Sequence, residues 1–282
     1  MEASEHSALR RLGGRARRWW KRSRFFWRES AGSEQLGRGL LGRMWLRVLR
    51  PALCVKVIVP VKSLRRAALP VWTAATGKVF VSHWCDLLVL GEIYRAPGEY
   101  DFASLPAAAG TIVDLGANIG LSARYLSECY PAARVIAYEP DPEIMRLAQL
   151  NLRGHPQVTL RNCAAAGSAG SMTLHRFPGG SWGTSAFITK QVVSETFLTE
   201  AVTLDSIIAE LGEIDILKID IEGAEHEVLS ACKNLDRIGC IVGEIHPIPD
   251  AGAEELFASL VGHHVVEQNI RDGQGPFVAL RR

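Results

Sequence analysis

The sequence predicts an α/β fold, a mostly parallel sheet covered by helices on both faces and finished by an antiparallel hairpin. Three observations carry this expectation. From residue 111 onward, short apolar runs alternate with stretches of helical periodicity, the pattern of strands joined by crossover helices. A glycine-rich turn follows the first of these runs. The last two strand-like segments are joined through Asp272-Gly273, a hairpin signal.

Taken in chain order, residues 78–82 read as a strand, 86–94 as a helix and Pro97-Gly98 as a turn. Strand 111–115 enters the glycine-rich turn and helix 121–129 leaves it; strand 135–138 and helix 142–152 repeat the unit. Strand 158–162 leads to a second short strand, 171–177, which suggests a hairpin-like detour before a Gly/Ser-rich loop at 179–185. Strand 214–219, helix 224–235, strand 240–244, helix 253–260 and strands 265–268 and 277–280 complete the series.

The charge is unevenly distributed. A formal net charge of +2 over 282 residues conceals 17 basic and 4 acidic side chains in residues 1–70, against 15 basic and 26 acidic in residues 71–282. Two parts are therefore expected: a basic, partly helical arm (1–70) and an acidic body (71–282) long enough for one α/β domain. An apolar fraction of 48% excludes a disordered or collagen-like chain. The apolar stretch 53–61, interrupted by Lys56, falls short of the roughly 20 residues of a spanning helix, and no signal peptide is expected. Six cysteines without a C-x-x-C pair read as reduced thiols, and the chain as cytoplasmic.

The strongest motif is Thr111-Ile-Val-Asp-Leu-Gly-Ala-Asn-Ile-Gly120. An apolar strand carries Asp114, and Gly116 and Gly120 flank Asn118 before a helix begins. A second strand ends in Glu139, followed by Pro140 and Asp141, where the doubly wound fold offers a carboxylate to ribose hydroxyls. A dinucleotide site wants G-x-G-x-x-G; here Asn118 has a side chain where the pyrophosphate needs clearance, and Asp114 adds negative charge. An acidic loop suits the cationic S-adenosyl-L-methionine better than NAD. A glycine-rich turn with no ligand remains the plain alternative.

These residues carry a family likeness. Val113-Asp-Leu-Gly-Ala-Asn-Ile-Gly120, Tyr138-Glu-Pro-Asp141, Thr203-Leu-Asp205, Leu217-Lys-Ile-Asp-Ile-Glu-Gly-Ala-Glu225 and Val242-Gly-Glu-Ile-His246 together resemble the FkbM family of S-adenosylmethionine-dependent methyltransferases. Residues 86–101 look like the segment preceding the first motif, and the likeness covers about residues 78–246. It implies a class I methyltransferase (Rossmann-like) fold with a seven-stranded sheet, and O-methylation of a hydroxyl on a small metabolite, sugar or lipid-linked glycan. It further implies that Asp114, Gly116, Asn118 and Gly120 cradle the methionine part. Glu139 would then hold the ribose, with Asp141 and Ala164 near the adenine. An N-methyltransferase of the same fold, an NAD oxidoreductase and a non-catalytic cofactor-binding module are the alternatives.

A second acidic cluster lies further on. Lys218, Asp220 and Glu222 alternate with Leu217, Ile219 and Ile221, breaking the apolar pattern of a strand buried on both faces. Asp220 and Glu222 fall at the carboxyl end of that strand, where open α/β sheets bind ligands; Glu244 and His246 fall at the equivalent end of the next. His246, Asp220 or Glu222 could accept a hydroxyl proton, and Lys218 could pair with the acids. The plainer reading makes Glu222 and Glu225 helix N-terminal carboxylates and His246 a loop residue. A divalent metal on these oxygens stays open without a diagnostic spacing. Trp182, in the 179–185 loop, is a candidate substrate contact on a lid, or part of a plain surface loop.

The arm offers three readings. Residues 36–49 predict an amphipathic basic helix, weakened at its start by Gly37, Gly39 and Gly42 and ended by Pro51. With the Arg- and aromatic-rich run 9–28, it suits an anionic membrane surface. Docking on the acidic body or a second protomer is as well supported, and nucleic acid is the least favoured.

Overall fold

The computed structural model describes residues 33–56, 67–95, 102–176, 184–185, 195–246, 248, 252–272 and 274–282. The arm run 9–28, the turn at Pro97-Gly98 and Trp182 lie outside them. The chain divides into two units, Met1–Gly91 and Glu92–Arg282.

In the first unit, helix α1 spans Gly39–Lys56 and an antiparallel hairpin pairs β1, Leu69–Thr73, with β2, Gly77–Val81. The helix does not stop at Pro51 as expected; it runs through it. A proline inside a helix removes the hydrogen bond to the carbonyl four residues back and crowds that carbonyl, at a cost of about 3 kcal/mol. Leu46 and Leu49 before it and Leu53 after it are buried together, so packing holds the two halves of the helix in line. Trp45 Nε1 donates to the Pro70 carbonyl at 2.8 Å, and Arg38 N to the Trp72 carbonyl at 3.0 Å, which fastens the start of α1 to the hairpin. Strand β1 was not anticipated, because Pro70 argues against a strand except at an edge. Helix α2, Cys85–Tyr94, follows; Asp86 Oδ2 accepts from Ser82 N and His83 N at its start.

The second unit is built on a seven-stranded sheet. Its strands are β3 Thr111–Leu115, β4 Arg134–Tyr138, β5 Val158–Arg161, β10 Ile214–Ile219, β11 Ile238–Ile245, β12 His263–Gln268 and β13 Gly275–Arg281. Their spatial order is β12-β13-β11-β10-β3-β4-β5. β13 runs antiparallel to β11 and β12, and the pairs from β11 to β5 are parallel, so the sheet is mixed as expected. Strand order reverses at β3, where β4 lies on one side and β10 on the other, which opens a crevice at the carboxyl ends.

The crossovers are α3 Leu121–Cys129, α4 Pro142–Asn151, α5 Leu204–Leu211, α6 Glu225–Ala231 and α7 Ala253–Ser259. Two of them have side-chain caps: Asp141 accepts from Glu143 N, and Thr203 from Ser206 N. The core joins Leu115, Tyr138, Leu217, Ile219, Leu229, Ile241 and Phe277 with neighbouring apolar side chains.

The expected detour is larger than a hairpin. β6 Ala164–Ala165, β7 Gly170–Arg176, β8 Thr184–Ser185 and β9 Glu195–Val202 form a separate four-stranded sheet in the order β6-β9-β7-β8. Thr184 and Ser185, expected in a loop, pair with Arg176 and His175 instead. Neither β9 nor α5 was anticipated. Strand β9, Glu-Thr-Phe-Leu-Thr-Glu-Ala-Val, is exposed along much of its length and offers little apolar contrast, and α5 has only eight residues.

Packing between β10 and β11 leaves no room at Gly243. A Cβ there would meet the Ile219 carbonyl oxygen at 2.0 Å. Gly243→Ala is expected to cost about 1–3 kcal/mol, measured as a fall in the urea midpoint without a change in slope.

Candidate active site

The register of the sheet explains the site. Lys218 on β10 lies opposite Asp114 on β3, so their side chains emerge on one face. Lys218 is 1% exposed and Asp114 fully buried. Lys218 Nζ is 3.1 Å from Asp114 Oδ1 and donates to the Gly116 carbonyl at 2.7 Å and the Leu115 carbonyl at 3.3 Å. The same ammonium is 3.8 Å from Asp220 Oδ2. Ser122 Oγ, in the first turn of α3, donates to Asp114 Oδ2 at 2.6 Å. Asp114 therefore lies beneath the glycine-rich turn as its internal anchor, outside the lining of the cleft, and Lys218 pairs with the acids.

Above this anchor the turn is left-handed at three positions: Gly116 (φ 82), Asn118 (φ 50) and Gly120 (φ 84). Gly116 cannot be replaced cheaply, because a Cβ would fall 1.8 Å from the Asp220 carbonyl oxygen. Asn118 tolerates the left-handed region better than most side chains. The Gly116 and Ala117 amides donate to the Tyr138 carbonyl, which holds the turn against β4.

An open cleft of about 700 Å³ lies over the carboxyl ends of β3, β4 and β10. Of the expected cofactor residues, Gly116, Asn118, Glu139 and Ala164 line it; Asp114, Gly120 and Asp141 do not. At one end Glu139, 5% exposed, accepts from Asn118 N through Oε2 at 2.9 Å and from Asp141 N through Oε1 at 2.8 Å. Burial pushes its pKa up to about 8, against the two amides that favour its charge. Asn118 Oδ1 is buried without a hydrogen-bond partner among the described residues.

Asp141 is taken up elsewhere. Besides capping α4, it receives Arg176 Nε on Oδ2 at 2.5 Å and Arg176 Nη2 on Oδ1 at 2.7 Å. Arg176 is on β7, so this pair ties the four-stranded sheet to the start of α4 and brings Met172 and Leu174 of β7 into the cleft wall. Sequence reasoning named neither of these, nor Ile144 on α4; alternation along β7 is the signal that would have singled out Met172 and Leu174.

At the other end stand Asp220, Glu222 and Ile221. Strand β10 ends at Ile219, so Asp220 and Glu222 sit in a turn, with Glu222 left-handed at φ 55. A non-glycine residue there is strained, a feature concentrated at functional sites. Glu225, read from sequence as a helix N-terminal carboxylate, holds that turn: its oxygens accept from Ile221 N at 2.8 Å and Gly223 N at 2.9 Å. Fully buried, Glu225 also meets His246 Nδ1 at 3.2 Å. His246 further faces Glu222 at 3.7 Å and Asp220 at 4.0 Å.

Burial opposes charge on His246, but the bond to Glu225 and the carboxylates around it prevail and push its pKa up to about 10. Glu222 is pushed up to about 8 by burial and then by Asp220. Glu244 is raised by burial first and then by Asp220, and it accepts from Gln274 Nε2 at 3.0 Å. Oxygen and nitrogen atoms of Asp220, Glu225 and His246 lie within 4.8 Å of one another, a set that holds a metal ion only with the imidazole deprotonated.

Removing the ammonium beneath the turn isolates a buried carboxylate. Lys218→Met is expected to destabilise the fold by about 3–5 kcal/mol in chemical denaturation, and Lys218→Met with Asp114→Leu to recover much of that loss.

Residues 114–271, more than half of the chain, match the Methyltransferase FkbM domain. The chain is 32% identical to Methyltransferase sdnD of Sordaria araneosa, over 46% of this chain and 62% of that protein. It is 28% identical to the 31-O-demethyl-FK506 methyltransferase FkbM of Streptomyces tacrolimicus, over 54% of this chain and 71% of that one. It is 30% identical to the hexuronic acid methyltransferase AglP of Haloferax volcanii, over 47% and 54%. Two of these three matches span less than two thirds of the relative. The turn, the cleft and the family match coincide in the second unit, and the chain belongs to the FkbM methyltransferase family.

Proposed function

We propose that this chain transfers a methyl group from S-adenosylmethionine to a hydroxyl of a small metabolite or glycan. The observation that carries this reading is the polarity of the cleft. Glu139 closes one end, the carboxylates Asp220 and Glu222 close the other, and the apolar Ile144, Ala164, Met172 and Leu174 lie along its wall. The relatives add support, since the names of two of them specify 31-O-demethyl-FK506 and a hexuronic acid as acceptors.

The residues present fit the cofactor. Asn118 Oδ1 is an orphaned acceptor in the lining, suited to a donor group, and Glu139 keeps a carboxylate for ribose hydroxyls. Ile144, Ala164 and Leu174 offer an apolar bed for an adenine ring. When bound, S-adenosylmethionine supplies an electrophilic methyl group on a sulfonium centre. The chain's own part is to orient an acceptor hydroxyl, exclude water and take up its proton.

Glu222 is the residue we assign to that proton. Its raised pKa lies near neutrality, where a base is most effective, and it lines the cleft in which an acceptor would sit. His246, with a pKa of about 10, enters the reaction already protonated; it serves as a fixed cation that orients Glu222 and Asp220.

Two measurements test this. S-adenosylhomocysteine should raise the melting temperature and NAD should not, and Glu139→Ala should abolish the shift. No shift in the parent would overturn the cofactor assignment. Methyl transfer from labelled S-adenosylmethionine, across a hydroxyl-bearing acceptor panel, should rise with pH through about 8 as Glu222 loses its proton. Glu222→Gln should lower kcat by about 10²–10⁴-fold with the S-adenosylhomocysteine shift intact. An unchanged rate in that variant would remove Glu222 from the role.

A further inference from the structure

Helix α1 presents two apolar faces, and among the described residues only one of them is buried. Leu46, Leu49 and Leu53 are buried at 0–2% exposure. On the other side Leu40, Leu41, Met44, Trp45 and Val48 are 75%, 81%, 52%, 38% and 62% exposed. Their spacing of i, i+1, i+4, i+5 and i+8 makes one continuous stripe along the helix. Stripes of this size on soluble domains mark interaction sites rather than ordinary surface.

The charges around the stripe say what it meets. The 18 residues of α1 contain no Asp or Glu, and exposed Arg43 and Arg47 run beside the stripe, with exposed Arg38 just before the helix. The first 70 residues carry the same bias, 17 basic side chains against 4 acidic. We infer that α1 lies in the plane of an anionic lipid surface, its stripe among the acyl chains and its arginines at the headgroups. Long basic side chains flanking an apolar stripe are suited to that boundary, with the stem in the apolar layer and the guanidinium among phosphates. No helix of the described residues is long and apolar enough to cross a membrane, in keeping with a helix lying flat. The hydrogen bonds of Trp45 and Arg38 to the hairpin present the stripe on a rigid support.

Other occupants fit less well. A second copy docked stripe to stripe would bring Arg43 and Arg47 against their own counterparts, a like-charge cost. Nucleic acid would meet a stripe that is mostly aliphatic, with one aromatic ring on which a base could stack.

Flotation of the full chain with vesicles tests the inference. Phosphatidylcholine mixed with phosphatidylglycerol should capture the protein at least about tenfold better than phosphatidylcholine alone, and added salt should weaken that capture. The triple variant Leu41→Ser, Met44→Ser, Val48→Ser should lose about tenfold or more in capture while keeping the circular dichroism spectrum and melting temperature of the parent. Arg43→Gln with Arg47→Gln should flatten the salt dependence. Absence of parent binding to anionic vesicles overturns the proposal. So does a triple variant that binds as tightly as the parent. A parent dimer that the triple substitution dissociates, with no vesicle binding, would assign the stripe to a second copy instead.

Discussion

Burying an ammonium costs several kcal/mol, and Lys218 is tolerated at 1% exposure because oxygens surround it: the carboxylates of Asp114 and Asp220 and the carbonyls of Leu115 and Gly116. Each of these belongs to a different functional part. Asp114 anchors the strand and, through Ser122, the helix behind the turn. The Gly116 carbonyl belongs to the turn itself. Asp220 begins the acidic end of the cleft. One cation thus ties the glycine-rich turn to the acidic end of the cleft.

From that point the cleft has a direction. The end at Glu139 has backbone amides as partners, and the end at Glu222 has the imidazole of His246, whose pKa the surrounding carboxylates raise. Carboxylates of raised pKa therefore stand at both ends of the cleft, held by different means. Amides fixed by the β3 and β4 loops cannot move away from Glu139. His246 follows β11 and answers to Glu225, so the acidic end depends on the order of two loops.

Much of this was legible in the chain. The alternation of strands and helices, the glycine-rich turn and the terminal hairpin all depend on local periodicity and on glycine, which sequence displays directly. The place of Glu139 in the lining followed from its position at a strand end, and that of Ala164 from the family likeness alone. What sequence concealed was pairing between distant residues. Asp114 and Asp141 carry the right charge at the right spacing, yet Lys218 pairs with the first, about a hundred residues away in the chain, and Arg176 with the second, 35 residues away. Glu225 looked like an ordinary helix-start carboxylate, and only the fold reveals that it holds His246. Pro51 misled because its local cost is smaller than the packing of Leu46, Leu49 and Leu53 around it.

The left-handed backbone of Glu222 has a consequence for how this chain can change. Glycine would relax that turn by up to about 1 kcal/mol, and it would delete the carboxylate in the same step. Under the role proposed for Glu222, selection for robustness and selection for turnover pull this position in opposite directions. With Glu222 as the proposed base, a library screened only for heat resistance would drift toward a well-folded protein that has lost that base.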